Sequence, residues 1–131
     1  RQMCIRDSCN HCSNPTCVTL CPTGASHLWN DTNIVLVDAN KCTGCKACIA
    51  ACPYDARLVM HPEGYIDKCT FCHHRVEEGL DPACVSSCPT GCMYFGSLDD
   101  PHSEVSQLLK TRNHKVLKPE TGNEPNVYYL I

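Results

Sequence analysis

The stretch CTGCKACIAACP, residues 42–53, decides how this chain is read. Cys42, Cys45, Cys48 and Cys52 stand at spacings x2, x2 and x3, and Pro53 follows the last. Working outward, the same ending recurs on both sides. CNHCSNPTCVTLCP, residues 9–22, carries Cys9, Cys12, Cys17 and Cys21 at x2, x4 and x3, closed by Pro22. Cys69, Cys72, Cys84 and Cys88 follow at x2, x11 and x3, closed by Pro89. The shared C-x3-C-P ending makes the three sets variants of one repeated unit.

Fourteen of the 131 residues are cysteine, a share that belongs to a disulfide scaffold or a metal protein. The 43% hydrophobic share includes those cysteines, and only one Trp, five Tyr and two Phe contribute aromatic bulk. A core so thin needs covalent or metal staples, because burial alone barely offsets chain entropy. Net charge is −3 and no basic stripe runs along the chain, so nucleic-acid binding has no electrostatic support. The longest strictly apolar run is IVLV at 34–37. A spanning helix needs about 20 apolar residues, so no direct membrane span is expected.

Spacing separates the metal readings. A tetrahedral zinc site usually takes two C-x2-C pairs far apart, and the triplet Cys42, Cys45, Cys48 does not suit it. Disulfides suit it no better, since thiols in a C-x2-C-x2-C run make poor partners for one another. Three cysteines on one tight loop do reach three corners of a cubane iron–sulfur cluster. In the two-cluster bacterial ferredoxin run, C-x2-C-x2-C-x3-C-P, the last cysteine serves the other cluster, and residues 42–53 are that run without deviation. Crossed ligation is therefore expected: cluster A on Cys9, Cys12, Cys17 and Cys52, cluster B on Cys42, Cys45, Cys48 and Cys21. Proline fixes φ and removes a donor, so the chain should turn away just after the last ligand. Gly44, Ala47 and Ala50 are small enough to bring backbone N–H groups toward inorganic sulfur.

By the same rule Cys69, Cys72 and Cys84 hold three corners of a cluster C, and Cys88 reaches toward a further cluster. The partner half-motif is absent from the sequence and is expected upstream of residue 9, which makes the chain N-terminally truncated. Residues 1–8, RQMCIRDS, join abruptly to the first motif. They are expected to be a non-native leader in which Cys4 carries no meaning.

Between the cysteine sets, SHLWNDTNIVLV and RLVMHPEGYIDK each place short strand-forming runs around turn residues, which predicts two β-hairpins. Short helices are expected in KACIAAC, FCHHRVEEG and DPACVSSC. Further on, Val105, Leu108 and Leu109 share one face of a predicted helix over 103–112. KPETGNEPN reads as a polar loop and VYYLI as a terminal strand. The fold class is α+β: ferredoxin-like 4Fe-4S dicluster units of short helices and β-hairpins, with a C-terminal docking extension. Its expected divisions are a dicluster unit over 9–68, a partial second unit over 69–100 and the extension over 101–131.

CNHCSNPTC, CTGCKACIAACPYDAR, DKCTFCHHRVEEGLDPACVSSCPTG and YFGSLDDPHSEVSQLL together resemble the iron–sulfur electron-transfer subunit of the dimethyl sulfoxide reductase family of molybdenum or tungsten oxidoreductases. The tail VLKPETGNEPNVYYL is most similar to the polysulfide and tetrathionate reductase branch. The resemblance implies four [4Fe–4S] clusters in the full-length protein, of which two, A and B, find all their ligands here. It implies two partners, a molybdopterin-containing catalytic subunit and an integral membrane, quinone-reactive anchor subunit. It also implies a peripheral position at the membrane, on the periplasmic face, with the cytoplasmic face as the alternative. A stand-alone soluble polyferredoxin is the alternative function.

The remaining candidates carry plainer expectations. Cys92 stands where the family has a small apolar residue and is expected to be a buried thiol. His11, His73 and His74 are expected as loop or surface residues, because cysteines already suffice as ligands. Trp29, Tyr54 and Tyr65 are expected to pack rather than relay electrons. Lys41, Lys46 and Lys68 stand beside ligands and are expected as solvated side chains, with Lys46, between two cluster B ligands, the candidate for raising that cluster's potential. No Gly-rich phosphate loop and no convincing catalytic constellation appears, so NAD or flavin chemistry is not expected, and the resemblance implies a non-catalytic subunit that is not itself the site of substrate chemistry.

Overall fold

The computed structural model describes residues 8–30 and 32–131. The leader expected over 1–8, Cys4 included, lies outside the described residues except for Ser8. The described chain divides into two units, one of residues 8–70 with 116–127, the other of 71–115 with 128–131.

In the first unit both predicted hairpins are present. Strands β1 (Ser26–Leu28) and β2 (Val35–Val37) pair antiparallel, with Ser26 opposite Val37 and Leu28 opposite Val35. The Trp29 N–H donates to the Ile34 carbonyl at 2.8 Å. Asn30 takes φ 49°, a left-handed conformation that asparagine tolerates. Strands β3 (Leu58–Val59) and β4 (Ile66–Asp67) form the second hairpin, closed by the Met60 N–H donating to the Tyr65 carbonyl at 2.8 Å.

Two helical turns carry the cysteines: α1 (Thr16–Thr19) and α2 (Ala47–Ala51), which pack against each other. The sequence reading placed α2 but not α1, a single turn that begins after Pro15. Helix α2 gives way at Cys52, whose φ of −71° and ψ of 117° are extended. A following proline enforces that conformation, so Pro53 ends the helix at Cys52 as expected.

Around these elements the buried apolar set is small: Ala25, Ile34, Val35, Leu36 and Ile66, with Cys9 and Cys12. Asn10, His11, Ser26, Arg57 and Asn123 are buried with it. His11 meets the expectation of a loop residue, though its burial was not foreseen. It lies in a loop but is 0% exposed, and its Nδ1 accepts the Val35 N–H at 3.0 Å. A main-chain donor on the hairpin had no other acceptor there, and burial of both groups requires the bond.

Gly44 is required by a close approach. Its φ is 75°, and a Cβ would stand 2.6 Å from the Gly64 carbonyl oxygen. The Cys42–Cys48 loop therefore sits on the turn of the β3–β4 hairpin. Gly44→Ala is expected to destabilise the loop by about 1–3 kcal/mol, read as a lower thermal midpoint and reduced iron retention.

The second unit is built from α3 (His73–Val76), α4 (Ala83–Ser86) and α5 (Glu104–Thr111), with β5 (His114–Lys115) paired to β6 (Tyr129–Leu130). The turn after α3 reaches Gly79 at φ 78°, and Arg75 Nε donates to the Asp81 carbonyl at 2.9 Å. Ser103 caps α5 by accepting the Ser106 N–H at 3.2 Å, which satisfies one of the orphan donors of the first turn. Val105, Leu108 and Leu109 are half-buried on one face, and Val105 lies against Gly96.

Residues 116–127 return to the first unit. Ser13 and Asn14 donate their N–H groups to the carbonyls of Glu124 and Asn123 at 2.8 and 3.0 Å. Asn126 donates its N–H to the Asn10 carbonyl at 3.0 Å and its Nδ2 to the His11 carbonyl at 2.7 Å. The predicted polar loop is thus a strap tied across the first cysteine loop.

Candidate functional site

The third residue of the first C-x2-C step in each motif has positive φ: His11 at 43°, Gly44 at 75° and Phe71 at 56°. The three motifs therefore share one backbone turn, as repeats of one unit should. Main-chain donors are aimed at several sulfurs. The His11 N–H lies 3.3 Å from Cys9 Sγ, the Ser26 N–H 3.5 Å from Cys21 Sγ, and the Ile66 N–H 3.4 Å from Cys42 Sγ. Such donors stabilise charge held on sulfur.

Two pockets open in the first unit. One, of about 350 Å³ and partly open to solvent, is lined by Cys42, Cys45, Cys48 and Cys21. The other, of about 380 Å³, is lined by Cys9, Cys12, Cys17 and Cys52. Each pocket thus draws three cysteines from one motif and the final cysteine from the other. The contact between α1 and α2 brings this about, because Cys21 and Cys52 follow those helices.

The thiols in these pockets resist ionising together. Burial, and then the charges of Cys9, Cys17 and Cys52, push Cys12 up to about 12. Burial also raises Cys9, against the opposing charge of Lys68, and raises Cys48, against that of Arg57. At Cys21 the upward push of burial is overcome by hydrogen bonds from the Ser26 and Thr23 N–H groups and the Thr23 hydroxyl, and the net direction is down. Four crowded sulfurs of this kind become a stable set of thiolates only around positive metal.

The donor set also distinguishes the metal. Among the described residues, no three of His, Cys, Asp or Glu stand close enough to hold a single ion. A tetrahedral zinc needs four sulfurs converging at about 2.3 Å from one point. Sulfurs that ring a space instead suit a cage that shares several iron atoms among four corners.

The third set is placed differently. Cys69 belongs to the first unit, and Cys72, Cys84 and Cys88 belong to the second. Cys84 is exposed. Cys88 Sγ lies 3.4 Å from the Thr90 hydroxyl and 3.6 Å from Cys92 Sγ. The Thr90 hydroxyl and the Cys92 N–H hold its thiol down to about 6. Cys92 is exposed, which corrects the expectation of a buried thiol. Residues 88–91 form a turn, the Gly91 N–H donating to the Cys88 carbonyl at 3.3 Å with Gly91 at φ 62°, and the Thr90 hydroxyl donates to Cys92 Sγ at 3.1 Å just beyond it. Packing supplies no apolar layer there.

Two residues of the site, Arg57 and Asn123, escaped the sequence reading, and a third, Lys68, was expected only as a solvated lysine beside a ligand. Arg57, only 6% exposed, lines both pockets, and its Nη2 donates to Ser26 Oγ at 2.8 Å. Lys68 donates its Nζ to the Val35 carbonyl and, at 2.8 Å, to the Cys69 carbonyl. Asn123, on the strap, accepts from the Thr16 hydroxyl at 2.6 Å and borders the Cys9 pocket. For Arg57 and Lys68, the only sequence signal was a basic residue close to a cysteine motif. Tyr54 packs beside the same pocket as expected and donates its hydroxyl to the Leu117 carbonyl at 3.0 Å. Lys46 is exposed, at the left-handed residue that opens α2.

Residues 2–98 match the family described as "4Fe-4S dicluster domain". The chain is 51% identical over 124 residues to the B subunit of tetrathionate reductase from Salmonella typhimurium, covering 93% of this chain and 49% of that protein. It is 45% identical to Protein NrfC of Escherichia coli, covering 95% of this chain and 56% of the relative. With the arsenate respiratory reductase iron–sulfur subunit ArrB of a Shewanella species it shares 34% identity, over 93% of this chain and 72% of the relative. The chain spans about half the length of the first two. Pockets ringed by four cysteines, a shared cysteine-loop turn and these likenesses agree: the chain belongs to the 4Fe-4S dicluster family of iron–sulfur subunits, that of the tetrathionate and dimethyl sulfoxide reductases and of NrfC.

Proposed function

We propose that this chain carries electrons through [4Fe–4S] clusters between a quinone-linked membrane anchor subunit and a molybdopterin catalytic subunit of a respiratory reductase. The observation that carries the proposal is the pairing of cysteines in the two pockets, where each motif lends its last thiol to the other. Bound clusters supply one-electron oxidation and reduction. The chain's own residues hold them: Cys9, Cys12, Cys17 and Cys52 would grip cluster A, and Cys42, Cys45, Cys48 and Cys21 cluster B. N–H groups of His11, Ser26 and Ile66 steady the charge on Cys9, Cys21 and Cys42. Cys69, Cys72 and Cys84 are proposed for cluster C, with Cys88 serving a further cluster.

The relatives support the reading of partners and place. The Salmonella relative is one subunit of a tetrathionate reductase, which implies companion subunits. Among the described residues no helix is long and apolar enough to cross a membrane, which suits a peripheral subunit docked to an anchor, on the periplasmic face. The face of α5 and the terminal strand are proposed as part of that docking extension.

The test is anaerobic reconstitution of the full chain with iron and sulfide. Expected are acid-labile sulfide matching iron, broad visible absorption and EPR signals on reduction. A colourless chain that binds zinc instead would sink the proposal. Gel filtration with a molybdopterin subunit then checks the complex; failure to co-elute would favour a stand-alone polyferredoxin.

A further inference from the structure

We propose that Arg57 is a positioning charge shared by the two cysteine pockets, raising the reduction potentials of clusters A and B together. The inference rests on the electron-transfer reading above and concerns what sets the two potentials.

Arg57 follows the second motif by five residues, just before β3, and is 6% exposed. It borders the pocket of Cys42, Cys45, Cys48 and Cys21 and also that of Cys9, Cys12, Cys17 and Cys52. Only one of its terminal nitrogens is explained by the fold, through the bond from Nη2 to Ser26 Oγ. Nη1 is buried and meets no partner among the described residues. A buried guanidinium half-satisfied by protein is costly, and its charge has to be answered by something.

The charge is answered by sulfur from both sets. Arg57 lines one pocket together with Cys48 and the other together with Cys17. Each cluster gains one negative charge on reduction. A fixed cation in a low-dielectric interior favours the reduced state of whatever lies beside it, and this cation lies beside both. Arginine suits the position because its planar fork keeps its charge when buried and presents separate donors to separate acceptors. Lys68 is a contrast: its cysteine neighbours are Cys9 and Cys69, and it lines neither pocket.

The experiment is redox titration followed by EPR on the reconstituted full chain, alongside Arg57→Gln, Arg57→Lys and Lys68→Met, with iron and sulfide measured in each. Lys68→Met identifies the cluster A signal as the one it shifts. In Arg57→Gln both midpoints are expected to fall, each reduction equilibrium moving about tenfold toward the oxidised form, which is about 59 mV for one electron. Arg57→Lys is expected to restore most of both. If Arg57→Gln loses iron while Arg57→Lys keeps it near native midpoints, the charge is required and the proposal stands. An unshifted midpoint at either cluster in Arg57→Gln overturns it. So does an equal fall in Arg57→Lys, or loss of iron from both variants, which would make Arg57 a packing residue. Failure of the unmodified chain to take up iron would instead defeat the underlying reading.

Discussion

Cys52→Ala is expected to destroy cluster A and spare cluster B, although Cys52 belongs to the motif that holds B. The reason is placement. Helix α2 ends at Cys52, the chain turns extended before Pro53, and the residue lines the pocket of Cys9, Cys12 and Cys17. Cys21→Ala should do the reverse, since Cys21 lines the pocket of Cys42, Cys45 and Cys48. Double variants make the assignment unambiguous. Adding Cys9→Ala to Cys52→Ala should cost no further intact cluster, because both changes strike the same cage. Adding Cys42→Ala should remove the second one as well. The measurement is the number of intact four-iron clusters per chain, from iron, sulfide and EPR spin counts. The reverse order, with Cys9→Ala and Cys52→Ala together removing both clusters and Cys42→Ala and Cys52→Ala together removing only one, would show that ligation is not crossed. Such pairwise tests are informative because effects are non-additive only where two residues serve one structure.

Removing the metal should have the largest effect on stability. The buried apolar set of the first unit is five aliphatic side chains and two cysteines. Each large aliphatic supplies about 1.5–3 kcal/mol, whereas every ordered residue costs about 1–2 kcal/mol of backbone entropy. Cluster binding is then most of the folding free energy. Stripping iron under reducing conditions is expected to abolish cooperative thermal unfolding and flatten the circular dichroism of the hairpins. A cooperative transition in the stripped chain within a few degrees of the loaded one would refute this.

The stripped chain should also carry a pH signature. Burial first, then neighbouring thiols, raise Cys12 from the ordinary 9.0 to about 12, and burial raises Cys9 in the same direction. A group whose pKa is raised on folding contributes stability that is intact below the unfolded value and is lost as pH climbs toward the folded one. Residual structure in the stripped chain should therefore weaken between about pH 9 and 12. The loaded chain, whose thiolates are held on iron, should show no such loss over that window.

Much of this was legible in local spacing. The run of residues 42–53 allowed the grouping of cysteines around each pocket to be expected before any geometry was known, because three thiols on one loop and a proline after the fourth send the last sulfur toward the other loop. Both hairpins, α2 and the Ser103-capped α5 were legible for similar reasons, since turn residues and caps act within a few positions. The burial of His11 was not foreseen, and that of Cys92 was misjudged. Histidine in a cysteine loop looks like a surface residue until a hairpin N–H needs its Nδ1. A small thiol after Pro89 looks buried until the turn through Gly91 leaves it outside.

What the sequence by itself determined, then, is the repeated cysteine loop and its chemistry, because ligand spacing and proline act over a dozen residues or fewer. Tertiary structure alone decided which charges and straps surround the cages. Arg57 stands 31 positions from the Ser26 hydroxyl it bonds, and Asn126 stands 115 from the His11 carbonyl. Nothing in local composition marks such pairs. They arise when two hairpins and a returning segment close on the same small core, and there a buried charge or amide must find its partner across the fold.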